Sequence, residues 1–101
     1  MKFSITQWDE IRAEFHRMFH DLGNVESTED IIRFSSTEPF VSTGIGISRD
    51  GTMAASMPLH NLNSKFDEVV FGTSLEQITL LGSGFNYTYR IPDELLTRRP
   101  K

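Results

Sequence analysis

Residues Val41 to Leu59 read VSTGIGISRDGTMAASMPL, two alternating runs on either side of an Arg49-Asp50-Gly51 corner, and the register between them decides the fold. Strand side chains alternate from face to face. Val41, Thr43, Ile45 and Ile47 therefore share one face of the first strand, with Ser42, Gly44, Gly46 and Ser48 on the other. On the return, Met53, Ala55, Met57 and Leu59 alternate with Thr52, Ala54 and Ser56. A two-residue Asp50-Gly51 turn would pair Ile47 with Ala54 and set the apolar rows on opposite faces. A three-residue loop with Gly51 in the left-handed conformation, a G1 bulge, pairs Ile47 with Met53 and Ile45 with Ala55. Only that register gathers the apolar side chains on one face, so it is the one expected.

The other face of this hairpin is small: Ser42, Gly44, Gly46, Ala54 and Ser56. Strand glycines mark a bend or a close approach by a backbone or ligand, and a flat face of this kind is a candidate contact surface for a second protein. Gly44-Ile45-Gly46 is not a dinucleotide loop, because the third glycine and the following helix are missing.

Working outward toward the N-terminus, Trp8, Ile11, Phe15, Met18, Phe19 and Leu22 recur at helical spacing. They predict an amphipathic helix from about Gln7 to Leu22 with one large aromatic stripe. Thr6 is the expected N-cap, Asp9 completes a capping-box-like start, and a left-handed glycine at Gly23-Asn24 is the expected stop. Glu26, Glu29 and Asp30 then read as an acidic turn, and Asp30 to Ser35 as a strand with Ile32 and Phe34 inward, ended at Glu38-Pro39.

Toward the C-terminus a polar connector, His60 to Lys65, leads into Glu68-Val69-Val70-Phe71 and Gln77-Ile78-Thr79-Leu80-Leu81. Pairing Phe71 with Ile78 and Val69 with Leu80 puts these four on one face. Gly82-Ser83-Gly84 turns the chain again into Phe85 to Ile91, a strand with Phe85, Tyr87, Tyr89 and Ile91 on one side. Pro92 suits the start of a short C-terminal helix through Leu96. The expected fold is a single α+β domain spanning residues 1–101: an N-terminal helix packed on a five- to six-stranded antiparallel, mostly meander sheet.

Composition narrows the function. The 101 residues, 38% hydrophobic with eight phenylalanines, are enough for one core. The absence of cysteine removes disulfides and thiol chemistry and is compatible with a reducing cytoplasm, the expected location. No apolar run reaches the length of a signal peptide or a membrane span. The Asn86-Tyr87-Thr88 sequon without a leader reads as part of a strand. The net charge of −4 gives no clustered basic surface for nucleic acid; only Arg98, Arg99 and Lys101 form a basic tail.

Catalytic signatures are missing. There is no G-x-S-x-G elbow, P-loop, H-E-x-x-H or EF-hand pattern, and no cofactor is implied. His16 and His20 have the four-residue spacing of a metal pair, but a catalytic zinc needs a third ligand and Arg12 nearby opposes a cation. The leading expectation is a small non-enzymatic protein-binding module of the inhibitor, immunity or adaptor type, using Ser42, Gly44, Gly46, Ala54 and Ser56. The alternative is a small-molecule-binding or catalytic domain. Its pocket would lie near the polar loop of His60 and Asn61, with Asp67 orienting the histidine and Tyr89 at the sheet margin. Homodimerisation is compatible with both.

Overall fold

The computed structural model describes residues 1–37, 43–55 and 65–97, with the side chains of Ala54 and Ala55 left out. The chain runs β1 (Lys2–Ser4), α1 (Trp8–Met18), β2 (Asn24–Ser27), β3 (Ile31–Ser35), β4 (Gly44–Ser48), β5 (Met53–Ala55), β6 (Glu68–Phe71), β7 (Gln77–Gly82), β8 (Phe85–Arg90) and α2 (Asp93–Leu96). The fold is α+β. Its strands form two antiparallel four-stranded sheets: sheet A in the order β1-β6-β7-β8 and sheet B in the order β2-β3-β4-β5.

Each expected hairpin register is present. Ile47 pairs with Met53 and Ile45 with Ala55, and Gly51 closes the corner at φ +92°. The Ser48 amide donates to Thr52 O at 2.9 Å and the Gly51 amide to Ser48 O at 3.0 Å. In sheet A, Phe71 pairs with Ile78 and Val69 with Leu80. The Ser83-Gly84 turn sets Gly82 opposite Phe85. Val41, Ser42, Ser56, Met57, Leu59, the Glu38-Pro39 break and the basic tail lie outside the described residues.

The single sheet expected from periodicity is replaced by two: β6 pairs with β1 in place of β5, and β2 adds to the other sheet beside β3. Phe3 pairs with Val69 and Val25 with Phe34. At three and four residues, mostly polar, these strands are too short to show an alternation, and their partners alone define them. Glu26 accordingly belongs to β2, opposite Arg33, and not to a turn. The helix also differs at both ends. Gln7 flanks its start without a side-chain cap, since the Gln7 Oε1 accepts from the Ser4 amide at 2.9 Å and the Thr6 hydroxyl is engaged with Ser4 Oγ at 3.0 Å. After the helix, Asp21 takes the left-handed conformation at φ 63°. Gly23 is needed for another reason: a Cβ there would stand 2.5 Å from the Ser35 carbonyl oxygen.

One hydrophobic cluster unites the elements: Ile11, Phe15, Met18, Phe19 and Leu22 of the helical segment, Ile32, Phe34, Ile45 and Ile47 of sheet B, Val69, Phe71, Ile78, Leu80 and Tyr89 of sheet A, and Leu95 of α2. Phe19 is the joint between the sheets. Its ring stacks on Phe34 at 4.1 Å and meets Tyr89 at 6.1 Å. Thr43 Oγ1 and Tyr89 Oη close the same seam at 2.7 Å, and the Phe66 amide reaches Gly51 O at 3.0 Å. With the inner faces thus used, the outer faces and edges are what remain for function.

Candidate functional site

The outer face of sheet B follows from the alternation of β3 and β4. Ile32, Phe34, Ile45 and Ile47 point to the core, so Ile31, Arg33 and Ser35 share the outside with Gly44, Gly46 and Ser48 across the rungs Ile31↔Ser48, Arg33↔Gly46 and Ser35↔Gly44. The two glycines are not equivalent. A Cβ on Gly44 would stand 2.6 Å from the Phe34 carbonyl oxygen, so this position is small because backbones approach there. At Gly46 a Cβ would meet Arg33 Cγ at 3.5 Å, an ordinary van der Waals contact. The aliphatic stem of Arg33 lies alongside Gly46, and its guanidinium donates to Glu26 Oε2 at 2.7 Å. Ala54 is paired with Gly46 in β5, while Ser42 and Ser56 lie outside the described residues.

At one end of this face stands Ile31, 48% exposed. It borders a cleft of about 430 Å³ lined by Asp30, Ile31, Ser48, Arg49 and Asp50. The walls are held by local hydrogen bonds. Thr28 Oγ1 accepts from the Ile31 amide at 3.1 Å, the Arg49 amide donates to Asp30 O at 2.7 Å, and Trp8 Nε1 donates to Glu29 O at 2.8 Å, tying the β2–β3 turn to α1. Asp50 Oδ1 accepts from the Thr52 hydroxyl at 2.7 Å and the Thr52 amide at 3.0 Å. The hydroxyl bond, more than the others, holds the Asp50 carboxyl below the usual carboxylate range. Chemically the cleft offers an apolar side chain, two carboxylates and a guanidinium, which suits recognition of a mixed surface.

Of the residues of the alternative pocket, the two that the structure describes, Asp67 and Tyr89, lie apart. His60 and Asn61 lie outside the described residues. Asp67 is exposed at the far end of sheet A, where its amide donates to Leu81 O at 2.8 Å. Tyr89 is buried opposite Ile78. Leu81 and Ile78 are three residues apart on β7, about 10 Å along the strand. The Tyr89 hydroxyl is bonded to Thr43, and burial pushes its pKa up. The two histidines at four-residue spacing take separate partners: His16, on α1, meets Ser27 Oγ at 3.3 Å, and His20, in the turn after α1, meets Asp21 Oδ2 at 3.3 Å. Among the described residues no group of three or more His, Asp or Glu side chains is placed to hold a metal ion. No described helix is long and apolar enough to cross a membrane.

Ile31, Arg33 and Glu26 were not singled out by sequence reasoning. A signal for Ile31 was there: with Ile32 and Phe34 inward, Ile31 falls on the polar side of the alternation, where a large apolar residue is out of place. Arg33 and Glu26 had none, since their meeting depends on β2 being a strand. Comparison with known proteins adds no relative: no family model, no curated protein and no solved structure matches the chain.

Proposed function

We propose that this protein is a non-enzymatic binding module, of the inhibitor, immunity or adaptor type, that docks another protein on the outer face of sheet B. The reading rests on one observation above others. Ile31 is 48% exposed on the same face as Gly46, Ser48 and the stem of Arg33, beside a cleft bearing Asp30, Arg49 and Asp50. An apolar side chain flanked by charged groups, even at one end of a face, supplies the mixture of contacts that protein-binding patches use. The face is also built on paired β-strands in the middle of a sheet, which keeps it rigid and lowers the ordering cost of docking.

The test is native mass spectrometry of the protein isolated gently from its host, wild type beside Ile31→Asp and a control, Gln77→Ala, on an exposed position of sheet A. The expected result is a second chain of different mass at fixed stoichiometry with wild type and Gln77→Ala, and its loss with Ile31→Asp. Equal retention by all three, or a bound small molecule in place of a protein, overturns the assignment.

A further inference from the structure

Among the described residues, the edge of β8 away from β7 has no partner strand. The two-residue Ser83-Gly84 turn makes Gly82↔Phe85 a hydrogen-bonded rung, and Leu80↔Tyr87 and Ile78↔Tyr89 follow in the same phase. The Ile91 amide continues it, donating to Glu76 O at 2.9 Å. The intervening residues Asn86, Thr88 and Arg90 therefore turn their backbone N–H and C=O groups away from β7. All three residues are exposed, and no described residue pairs with this edge.

Edge strands are normally blunted by shortness, proline, lysine or a bulge. β1 is three residues long and β2 is four, and β5 has three among the described residues. β8 has six, FNYTYR, with no proline, one charged residue, Arg90, at its end, and no interruption of its pairing with β7.

We propose that this edge is a self-association surface, at which a second copy of the chain adds its own β8 antiparallel and joins the two copies of sheet A into one continuous sheet. The register follows from the pattern. Centred on a two-fold axis at Thr88, it sets Thr88 against Thr88 and Asn86 against Arg90, so that every outward-facing residue from Asn86 to Arg90 is paired. A shift of two residues either way loses a rung, and a shift of four in one direction sets Arg90 against Arg90.

Both faces fit this register. On the outside, Thr79 Oγ1 and Thr88 Oγ1 are bonded at 2.9 Å, and the threonine row continues across the axis into its own repeat. Cross-strand threonine pairs of this kind stabilise sheets. The Arg90 guanidinium, 3.5 Å from Glu76, faces a neutral amide of the second copy and meets no like charge. On the inside, Phe85 and Tyr87 are only partly buried against the core, and the added strand brings the second copy's backbone alongside them. An unrelated extended peptide could satisfy the backbone groups alone. The second copy also continues the outer threonine row and sets no like charges opposite each other, and on these grounds it is the occupant chosen. The interface is on a different sheet from the proposed partner face, so either can fail without the other.

The experiment is sedimentation velocity on the full chain from about 1 to 200 µM, where mass action draws a weak dimer together, alongside amide hydrogen exchange at both ends of that range. Wild type is expected to dimerise with concentration, and the amides of Asn86, Thr88 and Arg90 to slow as it does. Asn86→Glu places a carboxylate against Arg90 at two symmetric rungs and is expected to tighten the dimer, whereas Asn86→Lys weakens it about tenfold. Asn86→Lys combined with Arg90→Glu restores it. A wild type that stays monomeric throughout, or a dimer equally strong in Asn86→Glu and Asn86→Lys, overturns the proposal. Should either variant fail to fold, the concentration dependence of the three wild-type amides decides the matter alone.

Discussion

Tyr89 places a phenol at the seam of the two sheets, where its hydroxyl shares a 2.7 Å hydrogen bond with Thr43. Burial favours the neutral phenol and raises its pKa, the Thr43 bond opposing this in part. The unfolded chain releases that proton near the ordinary tyrosine value of about 10. Stability from this group is thus complete below pH 10 and falls as pH rises through the raised native value, because the unfolded state then binds fewer protons than the native one. Tyr89→Phe is expected to cost about 0.5–1.5 kcal/mol at neutral pH, the worth of one hydrogen bond, and to flatten the alkaline limb. Urea titrations at pH 7 and pH 11 check both, and an alkaline limb as steep as wild type would remove Tyr89 as its source. Asp50 works at the opposite limb: its pKa is lowered, first by the Thr52 hydroxyl, so its contribution is present above the ordinary carboxylate range and is lost as pH falls through the lowered value.

At the scale of elements, the β4–β5 hairpin is closed by a glycine with two separate requirements. Gly51 has φ +92°, and a Cβ there would stand 2.6 Å from Phe66 O. The first demand belongs to the turn and was readable in the SRDGT sequence, since the register needs a left-handed residue after Asp50. The second belongs to the junction with sheet A and was not readable, because Phe66 is distant in the chain. Gly51→Ala therefore combines backbone strain with a clash and is expected to lower stability by about 2–3 kcal/mol. The urea midpoint measures it. A loss below about 0.5 kcal/mol would mean that the corner relaxes freely. The helix shows the same division: its stripe of Trp8, Ile11, Phe15 and Met18 was visible as periodicity, whereas its end was misplaced, because α1 stops at Met18 with Phe19 as its C-cap, and Gly23, expected as the left-handed stop, instead makes room for β3.

At the scale of the whole molecule, α1 and both sheets share one core, and Phe19, the residue after α1, touches both sheets. Truncating it leaves a cavity at the seam, and Phe19→Ala is expected to cost about 3–5 kcal/mol. Against a total stability of about 5–15 kcal/mol, that is enough to lower the melting temperature steeply. Differential scanning calorimetry reads the loss. If the melting temperature were retained, the two sheets would be held together by something other than this ring. The same geometry assigns the surfaces. Because sheet B turns Ile45 and Ile47 to the core, Ile31 and Gly46 face out, and because sheet A has no fifth strand beyond β8 among the described residues, Asn86, Thr88 and Arg90 are left open.

Local pattern was sufficient for the α+β class, the amphipathic helix, the three-residue corner at Arg49 to Gly51 and the pairings within β4–β5, β6–β7 and β7–β8. Each is encoded by alternation or turn chemistry over neighbouring residues, and a one-residue error would bring polar side chains inward. The division into two sheets, the membership of β1 and β2, the ion pair of Arg33 with Glu26 and the bond between Thr43 and Tyr89 were decided only in three dimensions. They join residues whose own segments are too short or too polar to declare a partner, and their stability comes from neighbours that only the folded chain supplies.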